Sequence, residues 1–248
     1  MLKSIYPNWL APKNVHALTT TRLGGVSIAP FDSLNLGIHV NDDLDSVLLN
    51  RRLLVEHEQL PNQPLWLNQV HSTTVVDDVD VNKSAILLDA DATYSCKPNQ
   101  VCAVLTADCL PVILCNAQGN EIAAIHAGWR GLCNGIIENT VQKFIAPSSQ
   151  IIAWLGPAIG PTKFEVGQEV VDQFVKHDAK SKNAFKFSDS VNKKYLADLY
   201  QLATLRLNHL GIEQIYGGNF CTYTQSDLFY SYRREKQTGR MATLIWFD

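Results

Sequence analysis

VCAVLTADCLPVILCNAQGNEIAAIHAGWRG, Val101 to Gly131, is the stretch on which the fold turns. Val101 to Thr106 and Val112 to Asn116 are short apolar runs of the kind a buried strand needs, and they read as a strand pair or as one bent strand. Pro111 stands between them, where a ladder donor must be absent. Ala117-Gln118-Gly119-Asn120 carries turn chemistry, and Ile122 to His126 returns as a further strand. Leu132 to Ile145 then reads as a helix that stops before Pro147. Outward from this block, strands are expected over His16 to Thr21, Trp66 to Val70, Thr74 to Val79, Ala85 to Leu88, Ile151 to Leu155 and Thr243 to Phe247. Helices are expected over Asp43 to Gln59, Val166 to His177 and Lys194 to Leu210, the last because Leu196, Leu199, Ala203 and Leu210 share a face and Gly211 supplies a stop. Neighbouring strands mixed with helices predict an α+β fold, with mixed β-sheets flanked by helices in α/β-type layers, rather than a doubly wound parallel sheet. No linker or composition break divides the chain, so residues 1–248 are expected to form one domain.

Composition narrows the function classes. With 46% hydrophobic and 18% charged residues the chain has enough apolar material to fold around a core. A net charge of -3 gives no field for holding a phosphodiester backbone, so nucleic acid is not an expected partner. No run is long enough to span a bilayer, and Met1 to Pro12 lacks a signal-peptide pattern, so the expected location is the cytoplasm, away from membranes. No obligate protein partner is implied. The six cysteines are expected to be thiols in that compartment, with Cys102 and Cys115 inside apolar runs behaving as small hydrophobes.

Three segments carry metal-competent side chains in compact frames: Asn68-Gln69-Val70-His71, Thr106-Ala107-Asp108-Cys109-Leu110-Pro111 and Ile125-His126-Ala127-Gly128-Trp129-Arg130-Gly131. His71, Cys109 and His126 offer two imidazoles and a thiolate, a donor set that suits zinc and leaves one tetrahedral position open. Each could equally be a hydrogen-bonded packing residue, and the residues alone leave both readings open. His16, His39, His57, His177 and His209 lack such frames and are read without a metal role. Thr20 to Ser27, TTRLGGVS, couples Arg22 to two glycines, which suits either an anion site or a glycine turn with a surface arginine. Gly156 to Pro161 reads as a rigid pocket wall. Arg233, Arg234 and Arg240 surround a turn that is either solvated or an anion trap.

The blocks TTRLGGVS (Thr20 to Ser27), SLNLGIHV (Ser33 to Val40), LNQVH (Leu67 to His71), TADCLPV (Thr106 to Val112), HAGWRG (His126 to Gly131), LGPAIGP (Leu155 to Pro161), FEVG (Phe164 to Gly167) and YSYRREKQTGRMA (Tyr230 to Ala242) run nearly end to end. In them the chain resembles the bacterial laccase-domain family, also called multicopper polyphenol oxidases and now regarded as zinc-dependent purine nucleoside enzymes. The resemblance implies a fold like that of the toxin-type deamidases. It implies zinc, with copper possible, on His71, Cys109 and His126. It also implies phosphorolysis of adenosine, inosine and 5'-methylthioadenosine, with deamination of adenosine through a zinc-activated water. Arg22 is then the leading phosphate ligand and a catalytic candidate beside Cys109 and His126, with Arg130, Arg233 and Arg240 behind it. Asp108 and Asp91 are candidate proton shuttles. Multicopper oxidation is disfavoured, because its copper cluster needs more histidines than this site offers. Two other classes stay open: a cysteine hydrolase of Cys109 and His126 editing peptidoglycan precursors, and a binding protein without turnover.

Overall fold

The computed structural model of the chain describes residues 2–77, 87–189 and 191–248. Within them the strands are β1 (Ser4–Ile5), β2 (Val15–Thr20), β3 (Leu67–Asn68), β4 (Val75–Asp77), β5 (Leu88–Asp89), β6 (Ala92–Ser95), β7 (Cys102–Thr106), β8 (Leu110–Asn116), β9 (Ile122–Ala127), β10 (Ile151–Leu155), β11 (Glu165–Gly167), β12 (Phe185–Asp189), β13 (Lys194–Ala197), β14 (Gln214–Gly217) and β15 (Met241–Phe247). The helices are α1 (Leu44–His57), α2 (Trp129–Asn134), α3 (Ile136–Val141), α4 (Gln168–His177), α5 (Leu199–His209) and α6 (Tyr232–Glu235). No helix among the described residues is long and apolar enough to cross a membrane.

The chain is a mixed α+β domain built on two large sheets. The larger has the order β14-β10-β8-β9-β6-β4, with parallel pairs at its two edges and antiparallel pairs between. The second, β1-β2-β15-β7, is antiparallel throughout. Alternation along β8 shows how they stack. Ile113 and Cys115 join Val104, Ile245 and Phe247 in a core between the two sheets. Val112 and Leu114 point the other way, into a core shared with Leu132 of α2, Ile136 of α3, Phe174 of α4 and Leu207 of α5. On the far side of the smaller sheet, Leu18, Ala103 and Leu244 pack against Leu54 of α1. The result is helix, sheet, sheet, helices, and every residue of β7, β8 and β9 is buried because both faces are covered. At about 1.5–3 kcal/mol for each large apolar side chain taken from water, these three cores are the main stabilising term.

The structure refines several expectations. β7 and β8 are neither a pair nor a bent strand: they belong to different sheets, and Ala107, Asp108 and Cys109 carry the chain across. Pro111 lies one residue beyond Val112, the last residue of β8 paired with β10, and its carbonyl accepts from Gly156 N at 2.9 Å. Its missing donor thus falls where the ladder with β10 has ended, although pairing with β9 continues through Pro111. The single helix expected from Leu132 to Ile145 is two, α2 and α3, broken at Gly135 with φ of 102°, a backbone that glycine adopts at little cost. The helix expected from Lys194 begins only at Leu199, because Lys194 to Ala197 form β13 between β11 and β12. Val166 likewise belongs to β11 rather than to α4. The strand expected from Trp66 to Val70 is reduced to β3. The expected strand positions at Asp78, Val79, Ala85 and Ile86 lie outside the described residues.

Candidate metal centre

Two loops and the end of β9 meet at one end of the sandwich, where the chain crosses between sheets. Cys109 sits on the crossing itself, after Asp108, which takes a left-handed φ of 87°. His126 lies near the end of β9, held by antiparallel pairing opposite Pro111. His71 follows β3 on a loop, also at positive φ, 61°. Gln69 fixes that loop to β7 as a strand neighbour would: its Nε2 donates to Leu105 O and its Oε1 accepts from Leu105 N, both at 2.7 Å.

Asp91 joins the two histidines. Its side chain is fully buried, and it accepts from His71 N at 3.0 Å and from Val70 N at 3.3 Å. It also accepts from Ser72 N and Oγ, and from His126 Nδ1 at 2.7 Å. Burial pushes this carboxyl up, but the His126 and Ser72 hydrogen bonds outweigh it and hold it down at about 2. With Nδ1 of His126 donating to a carboxylate, Nε2 is the nitrogen left for the cluster, where an ion would take the lone pair in place of a proton, the usual orientation of a metal-ligating histidine. Asp91 is therefore a positioning carboxylate, and its oxygens are already occupied by donors.

The donor atoms of His71, Cys109 and His126 all lie within 4.8 Å of one another. Cys109 Sγ is 3.8 Å from His71 Nε2, and the two imidazoles meet edge to face with centroids 4.8 Å apart. Burial pushes the Cys109 thiol up; the charges and hydrogen bonds of His126 and His71 more than reverse this, so the thiolate is favoured. His126 moves the other way, because Cys109 and Asp91 stabilise its protonated form against burial. Gly128 closes the centre from behind: a Cβ there would come 2.7 Å from His71 Cδ2 and 3.3 Å from Cys109 Sγ. Two imidazoles and a favoured thiolate, with the ring orientation fixed and the outer side open, fit a zinc ion with one exchangeable position. Among the described residues this is the one group of three or more His, Cys, Asp or Glu side chains close enough to share an ion.

The cluster opens into a cavity of about 550 Å³, lined on its polar side by Arg130, Arg233, Arg240 and His39 and on its apolar side by Ile159, Phe164 and Trp129. That size suits a small-molecule ligand. The Arg130 guanidinium stacks on Trp129 at 4.5 Å and, among the described residues, makes no hydrogen bond or ion pair. Arg233 lies over Phe164 at 5.4 Å and donates through Nη1 to Glu165 O at 2.9 Å. Arg240 is anchored by Nη1 to Thr238 O and Gly239 O.

Arg22 is placed elsewhere. It does not line the cavity, and its guanidinium donates to Asp32 O and Oδ2, Ser226 O and Glu235 Oε1 while lying over Tyr230. The amides of Gly24 and Gly25 donate to Ser33 Oγ, and a Cβ on Gly25 would meet Ser33 O at 2.3 Å. That segment is a close-packed turn. Asp108 also departs from the shuttle reading, because both of its oxygens accept hydrogen bonds from Thr222, Ser231 and Arg233. Sequence reasoning missed Gln69, whose amide sets the His71 loop, and passed over His39, which lines the cavity beside Arg240. Burial first, then Arg240 and Arg51, hold the His39 imidazole below its ordinary value. The only signal for either residue was its place in a motif, LNQVH or SLNLGIHV.

Comparison with known proteins agrees with this geometry. Residues 16–248 match a family model described as multi-copper polyphenol oxidoreductase laccase. A Haemophilus influenzae protein named purine nucleoside phosphorylase is 56% identical over 247 residues, covering 100% of both chains. The Escherichia coli protein named purine nucleoside phosphorylase YfiH is 53% identical over 99% of each. Among solved structures, a Neisseria meningitidis protein superposes with a TM-score of 0.94 at 45% identity over 99% of both chains. YlmD from Geobacillus stearothermophilus superposes with a TM-score of 0.87 at 31% identity, over 95% of this chain and 92% of that one. Matched along nearly its whole length by this model and these relatives, the chain belongs to the laccase-type multi-copper polyphenol oxidoreductase family, whose relatives here carry the name purine nucleoside phosphorylase.

Proposed function

We propose that residues 1–248 act as one domain that cleaves purine nucleosides with inorganic phosphate. Inosine, adenosine and 5'-methylthioadenosine are the substrates, and adenosine is deaminated in a side reaction. The observation that carries this reading is the shared cavity: Arg130, Arg233 and Arg240 line the same space as the His71, Cys109 and His126 cluster. The names of the full-length relatives supply the substrate class.

In phosphorolysis a phosphate oxygen bonds to C1' of the ribose while the C1'–N9 bond breaks and its electron pair leaves on the purine. The site must hold an anion and exclude water. Among the described residues the Arg130 guanidinium is free to bind it, and Arg233 has Nε and Nη2 without protein acceptors. Trp129, Phe164 and Ile159 give the purine apolar faces to lie against. His71, Cys109 and His126 would hold zinc, and when bound the ion supplies Lewis acidity toward the departing base and toward C6 in deamination. Asp91 keeps a proton on His126 Nδ1, so that Nε2 faces the ligand position. This reading puts the chain in the cytoplasm, where its six cysteines stay as thiols.

A second reading, a cysteine hydrolase acting on an amide such as a peptidoglycan precursor, draws on the depressed Cys109 thiol beside His126. His71 weighs against it. It stands 3.8 Å from the same sulfur, where a thiol and base pair has no use for a second imidazole and a metal does. Copper on this cluster is chemically admissible, but polyphenol oxidation by several coppers needs further histidine sites. The test is metal content by mass spectrometry together with release of hypoxanthine or adenine as phosphate is varied. Near-stoichiometric zinc with phosphate-dependent base release, both lost in Cys109→Ala, supports the phosphorylase. Metal-free protein that hydrolyses an amide through Cys109 overturns it.

A further inference from the structure

Asp108 lies next to Cys109, and its contacts run away from the metal cluster. Its Oδ1 accepts from Thr222 Oγ1 at 2.6 Å. Its Oδ2 accepts from Ser231 Oγ at 3.0 Å and from the backbone of Arg233 at 2.6 Å. Its own carbonyl accepts from Ile159 N at 2.9 Å. One residue, at a φ of 87° that few side chains tolerate, thus ties together the crossing between the sheets, the Gly156 to Pro161 wall, the Thr222 segment and the start of α6.

The consequence falls on Arg233. Its amide is gripped by Asp108, its Nη1 by Glu165 O, and its guanidinium plane rests over Phe164. Fixed at both ends, the side chain lines the cavity with Nε and Nη2 meeting no acceptor among the described residues, and it has little rotamer freedom left to lose when an anion arrives. Of the three donors around Asp108 the hydroxyls of Thr222 and Ser231 can turn to accept instead, but the backbone N–H of Arg233 can only donate, so the acceptor at Oδ2 is the one on which Arg233 depends.

We infer that Asp108 is a positioning residue that sets Arg233 for phosphate and locks that arginine to the cysteine turn; this rests on the phosphorylase reading above. Asp108→Asn preserves shape and one acceptor, and is expected to fold. It raises the phosphate KM about tenfold, the effect of weakening one charge-assisted hydrogen bond, while kcat, nucleoside KM and zinc content stay near wild type. Amide hydrogen exchange across Tyr232 to Arg234 quickens in the same variant. Asp108→Ala has a larger effect of the same kind. Arg233→Ala raises the phosphate KM alone, and adding Asp108→Asn to it raises the KM no further, because the two act through one group.

Three results overturn the inference. Asp108→Asn could leave both the phosphate KM and the exchange rates unchanged, it could lower zinc content with phosphate KM intact, or its effect could add to that of Arg233→Ala. Calorimetric titration with inorganic phosphate alone separates this from the functional reading. If the wild type cleaves no nucleoside yet binds phosphate, and both variants weaken that binding, the phosphorylase falls and the role of Asp108 stands. If phosphate binding is absent or indifferent to Arg233, the role of Asp108 falls too.

Discussion

Asp91→Asn tests the architecture of the metal centre at the point where it is most tightly specified. The five donors around this carboxylate include the backbone amides of Val70, His71 and Ser72, which cannot rotate to become acceptors. His71 N addresses Oδ1 and the other two address Oδ2, so an asparagine places its NH2 against a fixed N–H in either orientation. If the NH2 falls on the Oδ1 side it also meets His126 Nδ1, and the imidazole must shift its proton to Nε2, losing the lone pair a metal needs. The cost is a lost charge-assisted bond plus a buried donor left unpaired, about 3–5 kcal/mol. For a chain of this length that corresponds to a fall in Tm of about 6–20 °C. Zinc affinity should fall by about 10- to 100-fold, the usual effect of removing the partner of a ligating histidine. Chelator competition gives the affinity and differential scanning calorimetry gives the Tm. A variant with wild-type zinc affinity and an unchanged Tm would show that Asp91 neither orients His126 nor holds the His71 loop, and the account of the centre would fail.

Gly128 makes a narrower test. Its φ of -59° accommodates alanine, so the obstacle is the Cβ itself, 2.7 Å from His71 Cδ2 and 3.3 Å from Cys109 Sγ. Gly128→Ala should cost zinc affinity about tenfold by displacing His71, with Tm measured in chelator little changed; a loss of Tm in chelator without loss of affinity would contradict this. Arg22→Ala should behave in the opposite way. Its side chain is 13% exposed and ties Asp32 and Glu235 together, so removing it should lower stability by about 2–4 kcal/mol while the phosphate KM stays at the wild-type value. A rise in that KM like the one expected for Arg233→Ala would restore Arg22 to the anion site. Glu235 supplies a pH dependence. Burial raises its carboxyl, but Thr238, Arg234 and Arg22 together hold it below its ordinary value. A depressed carboxyl contributes stability above its unfolded pKa of about 4.3 and loses it as pH falls through the folded value. In chelator, the fall of Tm between about pH 5 and pH 3 should therefore be shallower for Glu235→Gln than for wild type, and equal slopes would refute the linkage.

Some of this was visible in the sequence, for reasons that differ by residue. The strands of the central block were legible because β8 and β9 are covered on both faces and must read as continuous apolar runs. β13 was not. Lys194-Tyr195-Leu196-Ala197 satisfies a helical period as well as a strand period, and what decides it is pairing with β11 and β12 and the bond from Ala197 N to Phe164 O. The break between α2 and α3 hinged on the φ of Gly135, and a lone glycine inside a helical pattern does not announce a left-handed backbone. The three metal-competent side chains were legible as types of donor. Their approach to within 4.8 Å was not, since it depends on Asp91 and Gln69, and each of these contacts residues distant in sequence.

The arginines show where sequence reading reaches its physical limit. Arg22 sits in a glycine-bearing loop that looks built for an anion, yet four acceptor contacts from Asp32, Ser226 and Glu235 surround it in the folded chain. Arg130, ranked behind Arg22 as an anion ligand, follows a tryptophan in HAGWRG, and its guanidinium meets no protein acceptor among the described residues. The two side chains are chemically identical. A guanidinium is available to a ligand when the fold brings it no carboxylate or carbonyl of its own, and the acceptors that saturate Arg22 include Ser226 and Glu235, some two hundred residues further along the chain. No local pattern reports such a partner. The availability of Arg130 and Arg233 is therefore a tertiary property, set by what the neighbouring segments leave unsatisfied. It is also why the phosphate assignment moves from the glycine loop to the cavity wall.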